Sequence, residues 1–147
     1  MKESNNLVAA IKGFEQLRLS SYQDKGGIWT IGYGHTYGVK QGQHINERQA
    51  EALLAFDIAK ARKGLDSLAL KNLSQGKYDA LIDFIFNIGI TKFLSSTLLK
   101  NIRTGESVSK IQNEIRTWCH GHDKSGKLVE EPGLVKRRAW EAAQWER

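Results

Sequence analysis

Two carboxylates and a hydroxyl, Glu15, Asp24 and Thr30, stand in the pattern E-x8-D-x5-T near the start of this 147-residue chain. Their types suit cleavage of a glycosidic bond, in which one carboxyl protonates the leaving oxygen and a second activates water or attacks the sugar. Glu15 is placed for the acid. Apolar neighbours such as Phe14, and the negative end of the helix it terminates, both disfavour a charged carboxylate there. Asp24 opens the segment Asp24-Lys25-Gly26-Gly27, a solvated turn suited to the second carboxylate. Thr30, on the strand that follows, offers a hydroxyl able to hold a water beside it. A plainer account also covers the three residues, with Glu15 as a helix-end residue, Asp24 as a turn former and Thr30 as a strand residue. Other motifs must decide.

The elements that would position them can be read from periodicity. Ser4 precedes a helix whose Leu7, Val8, Ile11 and Phe14 share one face, with Glu15 in or just past its last turn. Leu17 to Tyr22 and Ile28 to Tyr33 are β-prone runs around the Asp24 turn, an antiparallel hairpin. Gly32, Gly34 and Gly38 then suggest a third short strand or tight turns where backbone can be approached closely. Asn46 with Gln49 three residues later makes a capping box for a long amphipathic helix over about 47–63. Ser74 opens another helix, whose second half, ALIDFIFNIG, is apolar nearly all round and so belongs at the centre of a core. Gly89 ends it. Ser95 or Ser96 caps a helix to about Arg103, stopped at Thr104-Gly105. Val108, Ile111, Ile115 and Trp118 mark the next, and GLVKRRAWEAAQWE closes the chain as a helix with Arg137 and Glu141 paired at i, i+4. The fold class is α+β, mostly helical, with its sheet segregated near the N-terminus.

Composition agrees with one globular domain: 40% apolar residues, 26% charged and a single proline in a chain able to bury roughly two-thirds of its unfolded surface. No apolar run approaches the roughly 18 residues of a membrane span, and MKESNNLVAAIKGFE lacks a signal peptide's apolar core. Cys119 is the only cysteine, which excludes an intramolecular disulfide. A net charge of +6 favours an anionic partner such as wall polymer, nucleic acid or membrane surface, and equally serves solubility.

GFE at 13–15, Asp24 and TIGYGHT at 30–36 resemble the signature of the phage-type lysozymes, glycoside hydrolase family 24. INERQAEALLAFDI at 45–58, FNIGITKFLSSTLLK at 86–100 and GLVKRRAWEAAQW at 133–145 are similar to that family's later blocks, so the likeness covers nearly the whole chain in order. It implies a single lysozyme-like domain with a small β lobe over about 16–45, a linking helix over about 47–63, and a helical lobe over about 64–147 that includes the N-terminal helix. It also implies an inverting muramidase, with Glu15 the general acid and Asp24 and Thr30 managing the water. By the same likeness Phe86, Asn87 and His35 are candidate sugar contacts, and Arg137 supports the acid. Phe86 as ordinary core, His35 as a satisfied structural histidine, and the arginines as surface partners of Glu141 are the plainer alternatives. The implied partners are peptidoglycan strands and a holin-type pore, with no nucleic acid, no membrane insertion and no cofactor. A monomer made in the host cytoplasm and acting in the periplasm is expected.

Two rival readings are open. One is a catalytically idle lysozyme-like or basic module that binds wall polymer or nucleic acid. The other is a metal site on Cys119-His120-Gly121-His122. Zinc wants three or four converging ligands, and these three are too tightly spaced to converge easily without His35 or His44, so no metal is expected.

Overall fold

The computed structural model describes residues 1–146. It divides into two compact units, one of Asn5–Lys60 and the other of Met1–Ser4 with the chain from Ala61 onward. The first unit begins with helix α1, Asn5–Glu15, whose fully buried Leu7 and Ile11 stand at i, i+4. Burial of such side chains contributes about 1.5–3 kcal/mol each, which outweighs the weak helix propensity of the asparagines at its start. Gln16 ends the helix in the left-handed region, φ 57°, while its N–H still bonds Lys12 O at 2.9 Å. Only Leu17 then separates it from strand β1, Arg18–Gln23, which pairs antiparallel with β2, Trp29–Gly32. Register runs from Arg18 opposite Gly32 to Gln23 opposite Trp29, with an irregularity between Arg18 and Tyr22 that sharpens the local twist. In place of a third strand there are two isolated bridges, Ser20 with His44 and Ile31 with His35.

Helix α2, Glu47–Asp66, starts with the capping box that the sequence calls for. Gln49 N–H donates to Asn46 Oδ1 at 2.8 Å, and Asn46 N–H to Gln49 Oε1 at 2.9 Å. Its buried Ala50, Leu54, Ile58, Ala61 and Leu65 keep one face inward for the whole length. The boundary between the units falls inside this helix. Helix α1 shares the unit Asn5–Lys60 with the hairpin. The short link to β1 and the 2.6 Å ion pair of Lys12 with Glu51 are among the ties that hold it there.

The second unit is built on helix α3, Gln75–Ile88, where every residue from Tyr78 to Ile85 is buried. Around it stand α4, Ile90–Leu94, α5, Thr97–Thr104, α6, Val108–Arg116, and α7, Pro132–Gln144. Ser74, Ser96 and Ser107 cap three of them by accepting from the N–H groups of Lys77, Leu99 and Lys110. Gly105 closes α5 where the sequence expects a break. Phe84 lies at the centre, edge-on to Phe93 at 5.8 Å and to Trp118 at 5.4 Å.

Two expectations need correction. The β structure is not confined to the N-terminal part, because β3, His120–His122, and β4, Leu128–Glu130, form a second antiparallel hairpin. Strands of three residues are too short for alternation to announce them. Glu141 pairs with Arg138, at 2.7 Å, and Arg137 grips Asp83 with Nε and Nη2, the latter at 2.8 Å. Sequence spacing favours the i, i+4 pair, but a buried carboxylate from another helix offers Arg137 a two-point, desolvated partner.

Candidate active site

Glu15, Asp24, Thr30 and His35 all lie in the unit Asn5–Lys60. Glu15 is the last residue of α1, and the left-handed turn at Gln16 sets the direction in which chain and side chain part. Its half-buried carboxyl lies directly over Gly34. A Cβ built at Gly34 would overlap Glu15 Oε2 and push the carboxyl aside, and the positive φ of 78° favours glycine at this position. Gly34 is thus a site residue that residue-type reasoning missed, although the cluster Gly32, Gly34 and Gly38 carried the signal.

Asp24 makes the hairpin turn with one oxygen. Its Oδ1 accepts from the N–H groups of Gly26 at 2.9 Å and Ile28 at 2.8 Å, and its N–H donates to Ile28 O at 2.9 Å. No described residue hydrogen-bonds Oδ2. The carboxylate is therefore oriented by the backbone and still has an oxygen available. Thr30 is buried, and its hydroxyl donates to Ile28 O at 2.9 Å. That leaves its lone pairs as acceptors for a water proton. Ile28 consequently links the two residues, holding Asp24 through its N–H and Thr30 through its carbonyl.

Tyr22 is the second residue missed. It stands opposite Thr30 in the register, under the Arg18 guanidinium, whose Cζ is 4.2 Å from the ring centroid. Loss of solvent raises its phenol above the ordinary value, and the charges of Glu15 and Asp24 push in the same direction against Arg18. One phenol thus feels both carboxylates.

His35 is buried, and both ring nitrogens are engaged: Nδ1 meets Asp57 Oδ2 at 2.7 Å and Nε2 meets Tyr37 O at 3.0 Å. Those contacts make it a brace between α2 and the glycine-rich loop. Phe86, Asn87 and Arg137 belong to the other unit. Phe86 is half-buried with the Arg137 guanidinium 5.7 Å from its ring centroid, and Asn87 has a buried side-chain oxygen without a hydrogen-bond partner. The charged group around Arg137 is deeply buried: Asp83, Arg137, Arg138 and Glu141 are each at most 4% exposed. Burial, then the nearby Asp83 charge, raises Glu141 well above the ordinary 4.5, with the Arg138 charge opposing.

A helix-end glutamate facing a glycine-rich hairpin that carries an aspartate and a threonine, in a mostly helical chain, defines a lysozyme-type glycoside hydrolase. The chain belongs to the phage lysozyme family, whose model matches residues 12–141. It is 41% identical over 146 residues to an endolysin of Acyrthosiphon pisum secondary endosymbiont phage 1, covering 99% of both chains. It also matches about half the length, 49%, of an endolysin of Bacillus phage B103, at 41% identity over 137 residues, or 89% of this chain. Among solved structures, the muramidase domain of SpmX from Asticaccaulis excentricus superposes with TM-score 0.87 at 34% identity, over 98% of this chain and 97% of that one. An endolysin from Escherichia coli O157:H7 phage FAHEc1 gives 0.85 at 37%, over 99% and 93%.

Proposed function

We propose that the chain is a peptidoglycan muramidase that hydrolyses the β-1,4 bond between N-acetylmuramic acid and N-acetylglucosamine. The observation that carries this is the placement of Glu15 at the end of α1, against Gly34, in the same unit as an Asp24 whose Oδ2 is available and a Thr30 hydroxyl that can accept. Glu15 delivers its proton to the leaving glycosidic oxygen. Asp24 takes a proton from water while Thr30 accepts the water's second hydrogen bond, and the water oxygen bonds to the anomeric carbon as the old bond breaks. Attack from the face opposite the leaving group inverts that carbon. Phe86 and Asn87 are proposed sugar contacts, a role supported at Asn87 by the partnerless buried oxygen. Arg137, which grips Asp83, is proposed as structural support of the acid.

Phage relatives named endolysins support deployment in bacterial lysis. Synthesis in the host cytoplasm, action in the periplasm, passage through a holin-type pore and a monomeric state complete the proposal. No helix among the described residues is long and apolar enough to cross a membrane. The deciding experiment is product analysis on purified peptidoglycan: a muramic acid reducing end of inverted configuration is expected. An anhydro end would replace hydrolysis with transglycosylation, and a retained configuration would replace the inverting step.

A further inference from the structure

The segment from Cys119 to Glu131 takes no part in the hydrolysis described above, yet it gathers three good metal-binding groups. The buried Cys119 thiol, a ring nitrogen of His120 and a carboxylate oxygen of Glu130 all lie within 4.8 Å of one another. The second hairpin is what assembles them. His120 and Glu130 are direct partners in its register, so their side chains leave the same face. Glu131 N–H donates to Cys119 O at 2.9 Å and fixes the pair before them. On the opposite face the Glu131 carboxyl lies over Gly121, where a Cβ would overlap it, so it does not compete for the ligand face. Sequence spacing offered His122 as the third ligand. The strand instead carries His122 one pair further along, opposite Leu128, and Glu130 takes its place.

Distances suit one ion. Cys119 Sγ and His120 Nδ1 are 3.7 Å apart. A tetrahedral zinc with bonds of about 2.3 Å to sulfur and 2.0–2.1 Å to nitrogen separates those atoms by roughly 3.5–3.6 Å. Glu130 is exposed, and its carboxylate has no hydrogen bond or ion pair with any described residue. Swinging it inward therefore breaks nothing. A thiolate, a neutral imidazole and a carboxylate together carry two negative charges, which a divalent cation neutralises.

We propose that Cys119, His120 and Glu130 form a three-ligand site for a divalent cation of borderline softness, zinc by preference, that ties the start of β3 to the end of β4. On binding, the six-coordinate hydrated ion releases five waters and takes the three side chains in their place, the thiol proton goes to solvent, and the one remaining water completes the tetrahedron.

The test uses the full chain purified without a polyhistidine tag. Equilibrium dialysis against zinc chloride with elemental analysis is expected to give one zinc per chain. Cobalt(II) in its place is expected to show the near-ultraviolet thiolate-to-metal band. His120→Ala and Glu130→Gln, both surface changes whose fold circular dichroism verifies, should each weaken binding by more than the roughly 10–100-fold that loss of a mere supporting hydrogen bond costs. His122→Ala should leave it unchanged. Less than stoichiometric zinc, cobalt bound without the thiolate band, or zinc retained by either of the first two variants would each overturn the assignment. Because no ligand belongs to the lytic machinery, failure here leaves the muramidase reading intact.

Discussion

The two hairpins of this protein share one turn. Asp24 and Asp123 each accept two backbone N–H groups on Oδ1, from residues two and four further on, and each donates its own N–H to the carbonyl of the later residue. Each turn also places a glycine in the left-handed region, Gly27 at φ 80° and Gly126 at φ 83°. DKGGI and DKSGK are the same device in different hands. An aspartate at such a turn is therefore no mark of catalysis. What distinguishes the first hairpin is its company: α1 brings Glu15 to it, and β2 places a threonine after the turn. The second hairpin has Cys119, His120 and Glu130 at its open end instead.

The largest expected effect tests that company. Glu15→Gln removes the proton donor without disturbing α1, and lysis of permeabilised Gram-negative cells should fall by about 10²–10⁴-fold while circular dichroism is unchanged. Lysis at the unmodified rate would reduce the first hairpin to a copy of the second. The turn itself comes next. Asp24→Asn keeps Oδ1 as acceptor and removes only the charge, so activity should drop on the order of 10²-fold with little loss of stability. Asp123→Asn, the same change in the other turn, should leave the lytic rate within about twofold, as a surface change away from the reaction does. Equal losses would mean that the turns matter only as structure.

A smaller effect is expected at Gly34→Ala. The methyl group displaces the Glu15 carboxyl, and the backbone must bear a positive φ, which costs roughly 1–2 kcal/mol. Activity should fall by about tenfold or more because a misplaced acid is a poor one. A loss of melting temperature without a loss of specific activity would count against contact with the acid.

The smallest effects separate carboxylates by the pH at which they act. Hydrogen bonds from the Ser125 hydroxyl and the Lys127 N–H hold Asp123 below the ordinary 3.8. Its contribution to stability is present above that value and lost as pH falls through the lower folded one. Glu141 runs the other way. With its folded value raised, its contribution is full below 4.5 and declines as pH rises through the raised one. Denaturation midpoints across pH should therefore lose part of their acid-side slope in Asp123→Asn and part of the slope above 4.5 in Glu141→Gln. Identical profiles for the two variants would contradict both assignments.

Much of this molecule was legible in its sequence because the information was local. Asn46 and Gln49 bond each other as a capping box requires, Ser74 and Ser96 cap the helices they precede, and the apolar run after Ser74 is the buried helix it promises to be. Glu15 at a helix end and Asp24 at a turn were readable for the same reason. What could not be read depends on residues distant in the chain. Arg137 prefers Asp83, 54 positions away, over the nearer Glu141. His35 is held by Asp57, 22 positions on. Glu130 meets His120 only because a hairpin forms between them, and its one local signal, the likeness of DKSG to DKGG, was present all along.

The first four residues carry a consequence for how the chain folds. Ser4 N–H donates to Asp79 and the Gln75 side chain donates to Lys2 O, so the opening segment belongs to the helical unit although the whole hairpin unit lies between. During synthesis that segment leaves the ribosome long before its partners exist. The hairpin unit is continuous and can form while it waits. Joining the ends closes a loop of 75 positions, where each doubling of length adds only about 0.6 kcal/mol of entropic cost. The delay is one of time more than of energy: the strap has nothing to hold until α3 has been made.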